Sequence, residues 1–243
     1  MAGGILKRWL GIKRVRPYST YLDKQFKRHI ERAEVKLVFE VGSRDLKDAI
    51  LLQKFFRARV FAFECNPDSL SLCRQNLAKA ENVVLIEKAV WNQDKKIQFF
   101  PVVASYDDDL PELQAKNIGS SSCFMSANLH YEKLKQCEIE VDAIRLDGFC
   151  HEYGIQSIDL LCMDLQGAEF EALQGLGDVL NRVRYIISEI ETIPLYQGQK
   201  CLDDVSRYLS GFGFKLAEEV PCIGRNGKKD SFANYLFINQ AFK

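Results

Sequence analysis

The chain has 243 residues, 47% of them apolar and 27% charged. That is enough apolar material for one sizeable α/β domain, and it excludes a disordered, collagen-like or low-complexity chain. No apolar run approaches the roughly 20 residues that cross a bilayer as a helix, and 33 basic against 33 acidic residues argue against a general nucleic-acid coat.

The balanced total conceals an asymmetry. Residues 1–36 hold ten Lys/Arg against Asp23, Glu31 and Glu34, a net of +7, so the remaining 207 residues carry −7. A basic arm therefore precedes a mildly acidic body, and such a body suits a cationic ligand. In the stretch GGILKRWLGIKR (3–14), Ile5, Leu6, Trp9 and Leu10 fall at helical spacing among Lys and Arg. That pattern suits an anionic membrane surface, the domain itself or a partner, and residues 1–36 are the expected contact. Pro17 ends it. Thr20 then predicts an N-cap for a helix reaching about Arg32, with Asp23 in its first turn. Residues 1–35 are expected to form a basic helical extension, and residues 36–243 one domain.

From residue 36 the pattern alternates. Residues 36–41 (KLVFEV) and 59–64 (RVFAFE) predict strands, separated by a helix over 48–58. Pro67 opens a second helix over 68–80, and 82–90 (NVVLIEKAV) predicts a third strand. This β-α-β-α-β order predicts a parallel sheet with helices on both faces. The middle is less regular: residues 97–102 suggest a strand, SYDDDLPELQ (105–114) a polar loop, and 138–146 a strand. The alternation then resumes with a strand over 157–165, a helix over 168–176, a strand over 183–190 and a helix over 201–213. Residues 214–220 and 233–239 predict two last strands, joined by GRNGKKD as a β-hairpin.

In open parallel sheets, ligands bind beyond the carboxyl ends of the strands. Here those ends carry acids: Glu40 on the first strand, Glu64 on the second, Asp164 on the fourth, and Glu189 with Glu191 on the fifth. Strand interiors are normally apolar, so this repeated placement needs a reason, and a cationic nucleoside supplies one. Glu64 lies 22 positions after Gly42, where a carboxylate can accept from both hydroxyls of a ribose. The dinucleotide fingerprint G-x-G-x-x-G is absent: the turn holds Gly42 alone, with Arg44 and Asp45 where a pyrophosphate needs bare backbone. S-adenosylmethionine carries a sulfonium and an ammonium and no phosphate, so it fits the acidic ends better. The eight cysteines form no C-x-x-C pair, which excludes ribbon-type zinc and thioredoxin-like readings. Buried reduced thiols place the chain in a reducing compartment, and with no secretory signal after Lys7 and Arg8 the cytoplasm is the expected location.

The blocks FEVGSRD, FAFECNPDSL, NVVLIEKAV, IDLLCMDLQGAEFEALQGL, YIISEIE and PLYQGQ follow one another in an order that resembles the FkbM-type methyltransferases over about residues 36–238. The resemblance implies a class I methyltransferase: a Rossmann-like, mostly parallel seven-stranded sheet with a C-terminal β-hairpin, using S-adenosylmethionine as an O-methyltransferase. It departs from the family at Glu40, where Asp is usual, and at Leu46, where a further glycine often sits. Position by position, it assigns Glu40, Gly42, Ser43, Arg44 and Asp45 to the methionine side of the cofactor pocket. Glu64, Cys65 and Asn66 fall to the ribose and adenosine, Ala89 and Val90 to the adenine, and Asp164 to the methyl-transfer centre. Ser121 and Ser122 resemble a small-residue segment preceding the acceptor region.

An alcohol is a weak nucleophile, so a general base is expected. The candidates are Asp164, Glu189, Glu169 and His130; Glu169 also suits a structural place in the first turn of its helix. His29 and His151 are expected to be solvated and structural, respectively. Asp164, Glu189 and Glu191 are also candidate oxygen ligands for Mg²⁺ or Mn²⁺. The family leans towards hydroxyls on sugars, glycans and polyketide-like products. Residues 101–138 and 194–199 are the expected acceptor wall, with Phe99, Phe100, Tyr106, Phe124, Tyr131 and Tyr196 as stacking candidates. The altered turn at Leu46 keeps a second reading open, a non-catalytic S-adenosylmethionine- or glycan-binding module beside a glycosyltransferase. Nucleic acid is not an expected partner, since the body has no basic groove.

Overall fold

The structure is a computed structural model and describes residues 20–107, 110–129, 132–223, 227 and 229–242. Expectations for residues 1–19 lie outside them. The expected helix from Thr20 to Arg32 does not form. Thr20–Leu22 make a single 3-10 turn, Asp23 is the N-cap, accepting from the Gln25 N–H at 2.9 Å, and α1 spans only Lys24–Lys27. Tyr21, Phe26, Ile30 and Val35 are all buried in the body's core, so residues 20–35 wrap the sheet to satisfy those four side chains.

Strand β1 (Leu37–Val41) leads through α2 (Lys47–Phe56) to β2 (Arg59–Phe63), and α3 (Pro67–Leu77) leads to β3 (Val83–Ile86). The predicted strand 82–90 is broken after Ile86. Its last two residues, Ala89–Val90, form β4, which leaves the main sheet and pairs in parallel with β9 (Ile139–Ile144); β5 (Lys95–Phe99) pairs antiparallel on the other side of β9. Within the predicted polar loop 105–114, residues 105–107 and 110–114 are instead strand. β6 (Val102–Asp107) pairs with β7 (Leu110–Ala115) and with β8 (Glu132–Gln136) in a three-stranded antiparallel sheet. Pairing overrides the low strand propensity of Asp107.

The chain returns to the main sheet through α4 (Leu146–Glu152), β10 (Ile158–Met163), α5 (Glu169–Gln174), β11 (Val183–Glu191), α6 (Leu202–Ser210), β12 (Phe214–Ile223) and β13 (Lys229–Asn239). The seven-stranded order is β12-β13-β11-β10-β1-β2-β3. β13 runs antiparallel to both of its neighbours, as the predicted hairpin requires, and the other contacts are parallel. The order reverses direction between β1 and β10, which opens a crevice at their carboxyl ends.

Strand alternation splits the core into two layers. Phe39, Phe61, Phe63, Leu161, Met163 and Ile186 face α4, α5 and α6, while Val38, Val60, Ala62, Leu160, Cys162 and Ile187 face α2 and the 20–35 wrap. In the first layer, Phe39 meets Phe61, Phe63 and Phe149 at ring-centroid distances of 5.5, 5.4 and 5.8 Å. These fully enclosed rings fix the register of the strands that carry the site. Phe39→Ala should lower unfolding stability by about 3–5 kcal/mol, a large-cavity cost; chemical denaturation reads it as a lower midpoint at unchanged slope.

Candidate functional site

The strand-end residues meet in one cleft of about 800 Å³ at the carboxyl ends of β1, β2, β10 and β11. Its wall includes Gly42, Ser43, Arg44, Asp45, Glu64, Cys65, Asn66, Ala89, Val90, Asp164, Glu189 and Glu191. Glu40 lies beneath this wall: it is buried, and its carboxylate accepts from the Ser43 hydroxyl. His130 and Tyr131 lie outside the described residues. Phe99, Phe100 and Tyr196 are buried, Phe124 packs on Trp91 at 5.6 Å, and among the described residues Tyr106 alone of the aromatics expected to stack on an acceptor stands exposed. The cleft wall also recruits an element the sequence did not suggest, the end of the hairpin, with Cys222, Asp230, Phe232 and Asn234.

The turn after β1 is built by close approach. Gly42 has φ +90°, and a Cβ there would stand 2.0 Å from the Asp164 carbonyl oxygen. Only glycine lets β1 and β10 deliver their ends this near to one another. Arg44 and Leu46 follow at φ 49° and 66°. Leu46 keeps the left-handed backbone of the glycine it replaces, and its fully buried side chain in the second core layer offsets the strain. Glu64 ties this turn to the next one. Its carboxylate accepts from the backbone N–H of Arg44 (2.7 Å), Cys65 (2.8 Å) and Asn66 (2.7 Å), and so is fixed facing the cleft.

The turn after β10 is organised by Gln166, which is not among the residues expected at the site. Gln166 takes φ 53°, and its Nε2 donates to Asp164 Oδ1 at 2.6 Å and to Glu189 Oε1 at 3.4 Å. Its Oε1 accepts from the Tyr196 hydroxyl at 3.0 Å, which also reaches the Ser120 carbonyl at 3.1 Å. Ser122 Oγ donates to the Gln166 carbonyl at 2.7 Å. One carboxamide thus holds two strand-end acids side by side and links them to the 118–126 and 194–199 segments. On its other oxygen, Glu189 accepts from Asn234 Nδ2 at 3.4 Å. The register places Glu189 opposite Asn234 across β11 and β13, a relation that local sequence does not carry. Glu191 accepts from Gln199 Nε2, and Glu169 caps its own turn by accepting from the Leu165 and Gly167 N–H groups at 2.6 and 3.0 Å.

Burial is the first cause at every one of these acids, and it raises the proton affinity of Glu40, Glu64, Asp164, Glu169, Glu189 and Glu191. Neighbouring carboxylates push the same way at Glu189 and Glu191, and Glu191 reaches about 8. Arg44 and the Gln166 amide partly offset burial at Asp164. A cation in the cleft relieves this crowding, so the donor set fits the sulfonium and ammonium of S-adenosylmethionine. The expected divalent-metal set is not supported. Among the described residues, no three His, Cys, Asp or Glu side chains are grouped to hold an ion, and Asp164, Glu189 and Glu191 are each engaged by a side-chain amide.

Residues 41–216 match the methyltransferase FkbM domain. The chain is 31% identical over 190 residues to the 2-O-methyltransferase NoeI of Sinorhizobium fredii, covering 76% of this chain and 74% of that one. Among solved structures it is similar to the magnesium protoporphyrin IX methyltransferase ChlM of Synechocystis (12% identity, TM-score 0.48, 85% of this chain and 71% of that one). It is also similar to an rRNA methylase of Streptococcus thermophilus (14%, 0.46, 84% and 87%).

The buried acids make stability depend on pH in a definite direction. In the folded chain Glu191 keeps its proton up to about 8, while in the unfolded chain it releases it near 4.5. Its contribution is therefore complete below 4.5 and is lost as pH rises through about 8. Without ligand, the melting temperature should fall across that interval, and Glu191→Gln should flatten the fall; differential scanning fluorimetry against pH checks both.

Proposed function

The chain belongs to the FkbM methyltransferase family and is an S-adenosylmethionine-dependent methyltransferase, and we propose that it methylates a hydroxyl of a sugar, glycan or similar polyhydroxylated acceptor. The observation that carries this reading is the Asp164–Gln166–Glu189 arrangement, in which a carboxamide holds two buried carboxylates at the carboxyl ends of adjacent strands. Carboxylates and carboxamides are the groups that bind hydroxyl-rich molecules, because each oxygen accepts from an O–H and each amide donates to one. NoeI, a 2-O-methyltransferase by name, adds weight to oxygen as the accepting atom.

Bound S-adenosylmethionine supplies an electrophilic methyl carbon on a positively charged sulfur. Glu64 is placed to accept from the ribose hydroxyls, since three backbone N–H groups fix its carboxylate and leave it facing the cleft. Ala89 and Val90 give the adenine an apolar edge. Arg44 is the cation available to the methionine carboxylate, and Asp164 is the anion beside the positive groups. Glu189 is the general base. It would take the hydroxyl proton as the acceptor oxygen bonds to the methyl carbon and the carbon–sulfur bond breaks, releasing neutral S-adenosylhomocysteine; burial raises its proton affinity. Gln166 and Asn234 position it from either side. Holding the acceptor in line contributes several kcal/mol of the barrier by proximity alone. Leu46 retains the left-handed turn, so the feature that pointed to a non-catalytic module leaves the cofactor loop intact.

Incubation with methyl-labelled S-adenosylmethionine and a panel of neutral glycans, read by mass spectrometry, tests the reading. The expected product is a methyl ether that survives mild alkali; an alkali-labile ester, or transfer to nitrogen alone, contradicts it. Glu189→Gln should lower turnover about 10²–10⁴-fold while S-adenosylmethionine still binds, which calorimetry on the same variant reports.

A further inference from the structure

Beyond the strand-end acids, the cleft wall takes in Thr20, Tyr21, Asp48, Leu51 and Val220. Tyr21 and Val220 lie outside residues 41–216, the part matched to the FkbM domain. Tyr21 belongs to the 3-10 turn Thr20–Leu22, which packs on α2. The Asp23 N–H closes that turn on the Thr20 carbonyl at 3.0 Å, and the buried Phe26, Ile30 and Val35 anchor the chain that follows. The wrap thus fixes where Tyr21 stands.

The Tyr21 side chain is nearly enclosed, at 5% exposure, in the core layer it shares with Val38, Leu160 and Cys162. Glu40 and Asp164 are the next positions on that face of the two strands, towards the cleft. Burial, then the charges of Asp164 and Glu40, hold the phenol well above the ordinary tyrosine range, so it stays protonated. Among the described residues this hydroxyl has no hydrogen-bond partner. Enclosed hydroxyls normally have one, because losing water without replacement costs free energy. A hydroxyl on a cleft wall can find its partner in the ligand.

The neighbouring charges decide which partner fits. Asp164, Glu40 and Asp48 all act on the phenol, so an anion is disfavoured there and a cation with several N–H donors is favoured. Arg44 also acts on Asp164 and lines the same cleft. A cationic corner-piece at Tyr21 and an anionic one at Arg44 match the ammonium and carboxylate that an amino acid carries on one carbon.

We propose that Tyr21 is a cofactor-binding residue whose hydroxyl oxygen accepts from the α-ammonium of S-adenosylmethionine, with Asp48 and Asp164 as flanking anions. The phenol O–H then donates to a neighbouring carboxylate. The 20–35 wrap becomes part of the cofactor site as well as a cover for the sheet. The inference rests on the cofactor reading above and not on the choice of acceptor.

Tyr21→Phe removes the hydroxyl and keeps the ring. Calorimetry on the full chain, with S-adenosylhomocysteine and with its analogue lacking the amino group, tests the assignment. The variant should bind S-adenosylhomocysteine about tenfold more weakly than the parent, the effect of one hydrogen bond to a charged group. It should bind the deaminated analogue within about twofold of the parent. Equal weakening of both ligands, which a merely structural role gives, overturns the proposal. So does S-adenosylhomocysteine binding within about twofold of the parent. A parent chain that binds neither ligand fails the cofactor reading and the proposal together. A parent that binds both, with a variant that matches it, fails the proposal alone.

Discussion

Carboxylates repel one another, and burying them makes the repulsion worse, yet this fold drives five strand-end acids into the end of one sheet. Each loses hydration on burial, and each sits in the field of its neighbours. The surrounding structure answers with hydrogen bonds rather than counter-charges: three backbone N–H groups at Glu64, carboxamides at Asp164, Glu189 and Glu191, and a hydroxyl at Glu40. Arg44 brings positive charge to one of them, Asp164. Such a cluster is tolerable when protonated and becomes favourable when a cation arrives. A ligand bearing a sulfonium and an ammonium completes the electrostatics that the chain leaves open.

The packing explains why the acids cannot move apart. Glu40 and Glu64 end strands whose preceding residues belong to the two core layers, so shifting either acid would shift Phe39 or Phe63 out of the ring cluster. At Gly42 the main chain nearly touches Asp164, which sets the separation of β1 and β10 at their tips. Gln166 and Tyr196 then join those tips to the segments that close the cleft. One hydrogen-bond network thus orders both the strand-end acids and the segments across the cleft.

Much of this is legible in the residues. The alternation of apolar runs and amphipathic stretches predicts the parallel sheet, and the acids at its strand ends predict where the ligand lies. The turn GRNGKKD between two strand patterns predicts the hairpin that supplies β12 and β13. Other features depend on relations that no local pattern encodes. Asn234 meets Glu189 only because β13 pairs with β11 in one register. The break at Ile86 arises because Ala89 and Val90 find a partner in Ala143 and Ile144, more than fifty positions on. SYDDDLPELQ reads as a loop by composition, yet its residues 105–107 and 110–114 are strand, because β6 pairs with both β7 and β8. The helix expected from Thr20 to Arg32 yields to the burial of Tyr21, Phe26 and Ile30, whose spacing suits a wrap over the sheet better than one straight helical face. The Gln166 signal was present, as a Gln-Gly pair two residues beyond a strand-end acid, but its meaning requires Tyr196 and Glu189 to be in place.

The account stands on buried carboxyls whose proton affinity burial raises and a positively charged sulfur lowers. Calorimetric titration in two buffers of different ionisation enthalpy, comparing S-adenosylmethionine with S-adenosylhomocysteine, measures this directly, because the two differ in the sulfonium charge. Binding of the charged form should release protons, and more of them than binding of the neutral thioether. Equal proton release for the two, or none for the sulfonium, would contradict the account.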